Sequence, residues 1–303
     1  MNNELNDRIL RLKKEKNAVI LAHYYLSEDI QALADYVGDS FYLAKIAKAS
    51  PAECIVLCGV SFMGESAKIL CPDKQVLMPA PEADCPMAHM VAEGKIAQMR
   101  AAYEDLAVVC YINSTAELKC QSDVCVTSSN ALRIVRALPN RNIFFIPDRN
   151  LGRYVAEQVT EKNIILNDGC CPIHAALTAE QVAEEKRKHP DALVLTHPEC
   201  GADVLALSDV IGSTAELIAY AKESDRKEFI VCTEDGVAYR LREDNPDKRF
   251  YFPQPRMCCQ DMKRITAEGV LRVLETGENA VEISEEVRQG ALAPLERMLA
   301  LAK

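Results

Sequence analysis

The chain has 303 residues, 49% of them hydrophobic and 26% charged, and its 45 acidic residues outnumber the 35 basic ones to give a net charge of −10. This length allows two or three packed units, and the acidic balance disfavours a general nucleic-acid binder. We see no apolar run near the ~18 residues that a membrane-spanning helix needs, and no apolar region of a signal peptide at the start. We therefore expect a cytoplasmic protein that binds neither nucleic acid nor membrane.

Short apolar runs of strand length recur along the chain, and helical patterns lie between most of them. The runs are Ala18–Ala22, Cys54–Cys58, Gln75–Met78, Ala107–Ile112, Ile143–Ile146, Ile164–Leu166, Ala192–Thr196, Phe229–Cys232 and Phe250–Phe252. Near-continuous apolar strands that alternate with helices are typical of parallel sheets covered by helices on both faces. The sequence predicts the α/β class, built from three-layer α/β/α units, with amphipathic helices over residues 3–16 and 284–302.

Residues at equivalent positions group these strands into three trios, related by spacings of 88 and 86 residues. The first strand of each trio is followed by a hydrogen-bonding residue: His23, Tyr111 and His197. An aspartate comes twelve residues later: Asp35, Asp123 and Asp209. A hydroxyl residue comes seventeen residues later: Ser40, Ser128 and Thr214. A glycine follows the second strand of each trio: Gly64, Gly152 and Gly236. The sequence therefore predicts three tandem homologous units over residues 1–104, 105–190 and 191–303, around a pseudo-threefold axis.

The equivalent polar residues indicate a binding site at that axis. In parallel α/β units, ligands bind beyond the carboxyl ends of the strands, and the hydroxyl residues precede or open helices. Helix N-termini offer free N–H groups and a positive dipole end to phosphate or carboxylate. The alternative is simple helix capping, and Ser213 with Glu216 forms a capping-box pattern. The functional interpretation predicts a pocket for a small anionic substrate.

One cysteine in each unit occupies the same register, after the last strand. These cysteines are Cys85, Cys171 and Cys259. Thiolates select soft metals and iron–sulfur clusters, and three ligands on a four-iron cluster leave one iron open as a Lewis acid. Cys170 and Cys258 fall one residue out of register, so we expect them to pack instead. A zinc site made of the three cysteines with His89 or His174 is an alternative.

The residues that follow the first strands could transfer protons. His197 and Glu199 lie two residues apart after one such strand, and Tyr25 lies just beyond another. Histidine, tyrosine and glutamate side chains can together supply general acid and base functions. His174 lies three residues after Cys171 and either faces the same cavity or begins a helix.

Eight stretches carry a family likeness. They are LAHYY with DYVGDSFYLA, YINSTAELK, PDRNLG, GCCPIH, HPE with SDVIGST, and CCQDMKRIT. In this order they resemble quinolinate synthase over residues 18–266. The resemblance implies three homologous α/β domains around a [4Fe–4S] cluster. It implies that the cluster ligands are Cys85, Cys171 and Cys259. It implies that Tyr25, Glu199 and His197 are catalytic. It implies a substrate pocket formed by His23, Ser40, Tyr111, Asn113, Ser128, His197, Glu199, Ser213 and Thr214.

The resemblance also implies a reaction. Iminoaspartate condenses with dihydroxyacetone phosphate, phosphate and two waters are lost, and the pyridine ring of quinolinate, an NAD precursor, closes. An aspartate-oxidising enzyme would supply the iminoaspartate. The alternatives are another [4Fe–4S] hydro-lyase on a small anionic substrate, a non-catalytic iron–sulfur sensor, and a repeat-built protein with structural zinc.

Overall fold

The fold is built on three parallel sheets of four strands, and the computed structural model describes residues 3–302. The first sheet contains β1 (Ala18–His23), β2 (Tyr36–Gly38), β3 (Cys54–Cys58) and β4 (Gln75–Leu77). The second contains β5 (Leu106–Tyr111), β6 (Val124–Val126), β7 (Asn142–Ile146) and β8 (Asn163–Leu166). The third contains β9 (Leu193–Thr196), β10 (Val210–Ile211), β11 (Glu228–Cys232) and β12 (Arg249–Tyr251). The orders are β2-β1-β3-β4, β6-β5-β7-β8 and β10-β9-β11-β12. In each sheet the second strand is therefore added on one side of the first strand, and the third and fourth strands on the other side.

Helices connect the strands and cover the sheets. The first unit has α1 (Asn3–Glu15), α2 (Glu28–Leu33), α3 (Ser40–Ala49), α4 (Ser61–Leu70) and α5 (Lys95–Ala102). The second has α6 (Ala116–Cys120), α7 (Ala131–Ala137), α8 (Arg149–Gln158), α9 (Pro172–Ala175) and α10 (Ala179–Lys188). They are followed by α11 (Ala202–Leu205), α12 (Thr214–Glu223), α13 (Val237–Asp244), α14 (Ala267–Thr276) and α15 (Glu285–Leu301). Short 3₁₀ helices span Pro86–His89 and Met262–Arg264. Within the described residues, no helix is long and apolar enough to cross a membrane.

The predicted α/β class is confirmed, and every predicted strand is present with ends that differ by at most one residue. The apolar runs form these strands because both faces of each sheet are buried; every residue of β3 and β5 is buried, for example. The strands that the sequence does not predict are β2, β6 and β10. They have only two or three residues, too few to show a period, so the sequence indicates a turn there.

The aspartate triplet stabilises these short strands. Each carboxylate accepts the N–H of a residue in the first strand of its unit: Asp35 from Ile20 at 2.8 Å, Asp123 from Val108 at 2.6 Å, and Asp209 from Val194 at 2.8 Å. In each unit the short edge strand (β2, β6 or β10) begins to pair with the first strand one residue after this N–H group. The aspartates therefore satisfy strand N–H groups that would otherwise lack a partner, away from the carboxyl ends of the strands.

The glycine triplet does not have one common role. A Cβ at Gly152, inside α8, would lie 2.9 Å from the Phe145 ring, and one at Gly64, inside α4, would lie 2.3 Å from Met78 Sδ. These two glycines let a helix approach its sheet closely. A Cβ at Gly236 would instead lie 2.5 Å from the carbonyl carbon of Tyr25. Gly236 therefore brings the loop after β1 against the third unit.

The last two helices return to the first half of the molecule. α14 packs against α1 and β3, and α15 packs against α4, α6 and β6. Ala291, Leu295 and Met298 are fully buried in a core shared with the first two sheets, while the third sheet has separate apolar clusters. The predicted boundaries after residues 104 and 190 stay a prediction. The segment after residue 266 packs against the first two units rather than against the third sheet, which precedes it in the chain.

We expect the Leu295→Ala substitution to destabilise the protein by about 2–5 kcal/mol, because it leaves a cavity in a core that α15 shares with two units. Urea-induced unfolding measures this change. Leu207→Ala is the matched control, since Leu207 is 44% exposed, and its effect should stay within about 0.5 kcal/mol. Equal effects of the two substitutions would show that α15 contributes little to the core.

Candidate active site

One cavity lies where the carboxyl ends of strands from all three sheets meet. It has a volume of about 170 Å³, and its walls include residues at or just beyond the ends of β1, β5 and β9. Residues that follow the third strand of the first and third units also contribute, including Val60 and Glu234. In sheets of this order the first and third strands lead to opposite sides, and the crevice between them is where ligands bind.

The cavity brings together almost all of the predicted site residues. Those in its walls are His23, Tyr25, Ser40, Cys85, Tyr111, Asn113, Ser128, Cys171, His197, Glu199, Thr214 and Cys259. Ser213 lies outside these walls. Its hydroxyl accepts the N–H of Glu216 at 3.3 Å, and the Glu216 carboxylate accepts the Ser213 N–H at 2.7 Å. Ser213 therefore has the contacts of a helix cap, as the capping alternative describes.

The three in-register cysteines face this cavity, whereas their neighbours Cys170 and Cys258 are not among its walls. Burial raises the pKa of the Cys85 thiol to about 12, and negative charge on Glu199 and Cys259 adds to the effect. The pKa of Cys171 is raised well above its ordinary value by the same burial and by the charges of Glu199 and Cys85. The thiols are thus close enough to influence one another, and they are protonated unless a cation stabilises the thiolates.

Two histidines at equivalent positions have equivalent hydrogen bonds. His23 Nδ1 accepts the N–H of Tyr25 at 3.2 Å, and His197 Nδ1 accepts the N–H of Glu199 at 3.4 Å. Burial lowers the pKa of each imidazole from 6.5 to about 3. Both rings are therefore neutral near pH 7, and because Nδ1 accepts, the proton resides on Nε2. Each ring can donate one hydrogen bond through that atom.

A chain of hydrogen bonds crosses the cavity and connects the three units. Tyr25 Oη lies 2.8 Å from Thr214 Oγ1 and 2.9 Å from Thr233 Oγ1. His174 Nε2 lies 2.9 Å from Thr233 Oγ1, and His174 Nδ1 lies 2.8 Å from Glu199 Oε2. One consistent set of donors has His174 Nδ1 donating to Glu199, Thr233 donating to His174, and Tyr25 donating to Thr233. Tyr25 and Glu199 are thereby joined through Thr233 and His174.

The Glu199 carboxylate is ionised although it is buried. Burial alone would raise its pKa, but the interaction with His174, whose Nδ1 lies 2.8 Å from Glu199 Oε2, outweighs burial and lowers the pKa of Glu199. Asn150 Nδ2 donates to the Glu199 carbonyl at 2.9 Å and fixes the backbone. Glu199 Oε1 is buried and has no hydrogen-bond partner among the described residues. This oxygen is available to accept a proton or a hydrogen bond from a substrate.

The described cavity walls contain no lysine or arginine. An anionic substrate would be held by neutral donors, which are hydroxyl groups, the Asn113 amide, imidazole Nε2–H groups and backbone N–H groups. Ser40 and Thr214 are the first residues of α3 and α12, whereas Ser128 lies three residues before α7. The polar groups at these helix starts therefore face the space where an anion would lie.

Sequence reasoning missed Thr233 and left His174 undecided. Thr233 directly follows β11, as His197 follows β9, so examining the ends of the third strands of each unit would have found it. His174 is 1% exposed and lines the cavity. His89 points elsewhere: its Nε2 lies 2.6 Å from Asp84 Oδ2, and 55% of its side chain is exposed. This position disfavours His89 as a fourth ligand in the zinc alternative.

The fold and the site together define a three-unit α/β enzyme whose units enclose one cavity lined by cysteines, histidines and other hydrogen-bonding side chains. A family model described as Quinolinate synthetase A protein matches residues 7–300. The quinolinate synthase of Fusobacterium nucleatum is 50% identical over 298 residues, which are 98% of this chain and 99% of that protein. The quinolinate synthase of Clostridioides difficile is 48% identical over 303 residues, the whole of both chains. The chain belongs to the quinolinate synthetase A family.

We expect the buried state of His23 to make stability depend on pH. The unfolded chain binds a proton at this residue below pH 6.5 and the folded chain only near pH 3, so stability rises with pH between these values and is fully present above 6.5. Between about pH 6 and 4, wild type should lose about 1.4 kcal/mol per pH unit more than His23→Asn. Urea-induced unfolding at each pH measures the difference, which should be constant above pH 7. Parallel slopes below pH 6 would show that His23 titrates normally.

Proposed function

We propose that this chain forms quinolinate from iminoaspartate and dihydroxyacetone phosphate, with loss of phosphate and two waters. The observation that carries the proposal is one cavity in which cysteine thiols, hydroxyl groups and histidine imidazoles from the three units meet the Glu199 carboxylate. This cavity belongs to a chain that matches quinolinate synthases over nearly its full length. A volume of about 170 Å³ suits one small molecule rather than a polymer.

The cysteines fit an iron–sulfur centre, and we propose that Cys85, Cys171 and Cys259 hold a [4Fe–4S] cluster. Sulfur ligands of one tetrahedral zinc lie about 3.8 Å apart, given Zn–S bonds of about 2.3 Å. Three ligands of one metal ion must lie close together. Within residues 3–302, no group of three or more possible ligand atoms that all lie within 4.8 Å of one another contains more than one of these three cysteines. Their wider spacing favours a multi-atom cluster over one zinc ion. A cluster with three protein ligands supplies an open iron that acts as a Lewis acid toward substrate oxygen.

The hydroxyl groups of Ser40, Ser128 and Thr214 would bind the carboxylates and the phosphate, together with the polar helix starts beside them. Asn113 and the Nε2–H groups of His23 and His197 would donate the remaining hydrogen bonds. Because all of these donors are neutral, they can bind an anion without first breaking an ion pair inside the protein.

Tyr25 and Glu199 would move protons during imine formation, isomerisation and dehydration. Burial and the nearby Glu199 charge raise the pKa of Tyr25 well above its ordinary value, so this phenol keeps its proton near neutral pH and can donate it to a stronger base. Glu199 is ionised and is the base. A proton taken up by Glu199 can return to Tyr25 through His174 and Thr233, which resets both groups for the next step. His197 would assist by donating to the substrate.

The enclosed cavity also suits an unstable substrate. Iminoaspartate is an imine and hydrolyses in water, so burial of the reacting groups limits its loss. We propose that an enzyme that oxidises aspartate supplies it to this chain.

We expect anaerobically purified protein to contain about four iron and four acid-labile sulfide per chain and little zinc. Cys171→Ala should remove both, because it deletes a ligand. Cys170→Ala is the matched control at the adjacent position and should retain them. Metal and sulfide analysis, followed by assay of quinolinate, makes the test. Stoichiometric zinc in wild type, or equal iron loss in the two variants, would refute the proposed ligand set.

We expect Glu199→Gln to lower the rate of quinolinate formation by about 100-fold or more while leaving the iron content unchanged. The amide keeps the shape of the side chain but is not a base, and general base catalysis contributes about 10²–10⁴-fold. Glu184→Gln, at an exposed position on α10, should retain full activity. Wild-type turnover in Glu199→Gln would exclude Glu199 as the base.

A further inference from the structure

The same backbone hydrogen bond holds each cysteine loop. In every unit the N–H of a residue at the start of the helix after the third strand donates to the carbonyl two residues before the cysteine. The bonds run from Ser61 to Ala83 at 2.9 Å, from Arg149 to Gly169 at 2.7 Å, and from Asp235 to Met257 at 2.8 Å. Cys85, Cys171 and Cys259 therefore share one backbone environment, which Cys170 and Cys258, one residue earlier, do not have.

A carboxylate completes each of these connections. It accepts the N–H of the cysteine itself: Asp84 from Cys85 at 2.7 Å, Asp148 from Cys171 at 3.0 Å, and Glu234 from Cys259 at 3.0 Å. The same carboxylate also bonds to the start of the helix after the third strand: Asp84 to the Ser61 hydroxyl, Asp148 to the Leu151 N–H at 2.6 Å, and Glu234 to the Gly236 N–H at 2.7 Å. Each carboxylate therefore joins a cysteine loop to a helix.

The three carboxylates do not occupy equivalent positions in the repeat. Asp148 and Glu234 each lie two residues after the third strand of their unit and reach forward to the cysteine. The equivalent residue of the first unit is Val60, whose side chain has no hydrogen-bond acceptor. In that unit Asp84, which precedes the cysteine, bonds to the start of the helix instead. A residue inherited through duplication for packing alone would recur at one position. Here the contact is preserved while the position changes.

Helix capping explains only part of these contacts. Asp148 caps α8 through Oδ1, but its Oδ2 is directed to Cys171. Asp148 is fully buried, and burial with the charge of Glu199 raises its pKa to about 7. A cap on the protein surface would avoid this burial. The second oxygen of the buried carboxylate is therefore used at the cysteine.

We propose that Asp84, Asp148 and Glu234 are positioning residues that hold the three cysteine loops ready to receive the cluster. This inference rests on the proposed cluster site. Fixing a cysteine N–H limits the directions in which its sulfur can point, so less conformational entropy is lost when the metal binds. Groups that orient metal ligands from outside typically change metal affinity by about 10–100-fold when they are removed.

The third carboxylate extends this arrangement to the proton-transfer residues. Lys263 Nζ lies 2.9 Å from Glu234 Oε1 and donates to the Tyr25 carbonyl at 2.7 Å. Glu234 Oε1 thus contacts both the Cys259 N–H and the lysine that holds the Tyr25 loop. The third cysteine and the phenol that donates protons are fixed by one connected set of bonds.

Asp84 gives the sharpest test, because 44% of its side chain is exposed and its substitution leaves no buried cavity. Its Oδ1 alone accepts both the Cys85 N–H and the Ser61 hydroxyl, so Asp84→Asn can keep both bonds and Asp84→Ala neither. The measurement is the rate at which anaerobic holoenzyme loses iron to a chelator. Asp209→Ala is the control, since it removes a carboxylate–N–H bond away from the cysteines.

We expect Asp84→Ala to lose iron about tenfold faster than wild type, Asp84→Asn at close to the wild-type rate, and Asp209→Ala at the wild-type rate. Thermal unfolding of the metal-free Asp84→Ala protein should match wild type, which separates positioning from general stability. A wild-type rate of iron loss in Asp84→Ala, or equally fast loss in Asp84→Asn, would overturn the inference. Wild-type protein without a cluster would overturn the proposed function itself.

Discussion

The ionised carboxylate of Glu199 lies at the junction of the three units, and the site depends on how its charge is stabilised. A buried carboxylate is costly unless it is paired and hydrogen-bonded. Its nearest partner, His174, comes from the second sheet's unit, and Asn150 of the same unit holds its backbone. Separating the units would leave this charge without its partner. The same contacts therefore hold the second and third units together and stabilise the charge in the active site.

The three units share a scaffold but differ in chemistry. Equivalent strand ends carry His23, Tyr111 and His197, and only the third unit adds a carboxylate two residues later, at Glu199. Duplication alone would give a cavity with three identical walls. The two proposed substrates differ in shape and charge, and their reaction needs a base at one place and a proton donor at another. Divergence of a few side chains on a repeated backbone supplies that asymmetry.

Much of the fold followed from the sequence, because buried parallel strands are continuous apolar runs and the repeat aligns their ends. The same alignment grouped residues that the structure brings into one cavity, although their roles stay predictions. The edge strands were missed because two or three residues show no period. The contacts of Thr233, Asp148 and Glu234 could not be foreseen, since each joins residues more than twenty positions apart through the packing of loops. Ser213 shows the reverse case, because its contacts with Glu216, three residues later, follow from the local capping-box pattern in the sequence.

The packing of α15 has a consequence for synthesis on the ribosome. This helix is translated after all three sheets, yet Ala291, Leu295 and Met298 fill a core shared with the first two sheets. Domains generally fold as units, in order from the N-terminus, but here the first half of the protein lacks part of its interior until α15 has been translated. The first two sheets can therefore complete their common core only after the third unit has been synthesised.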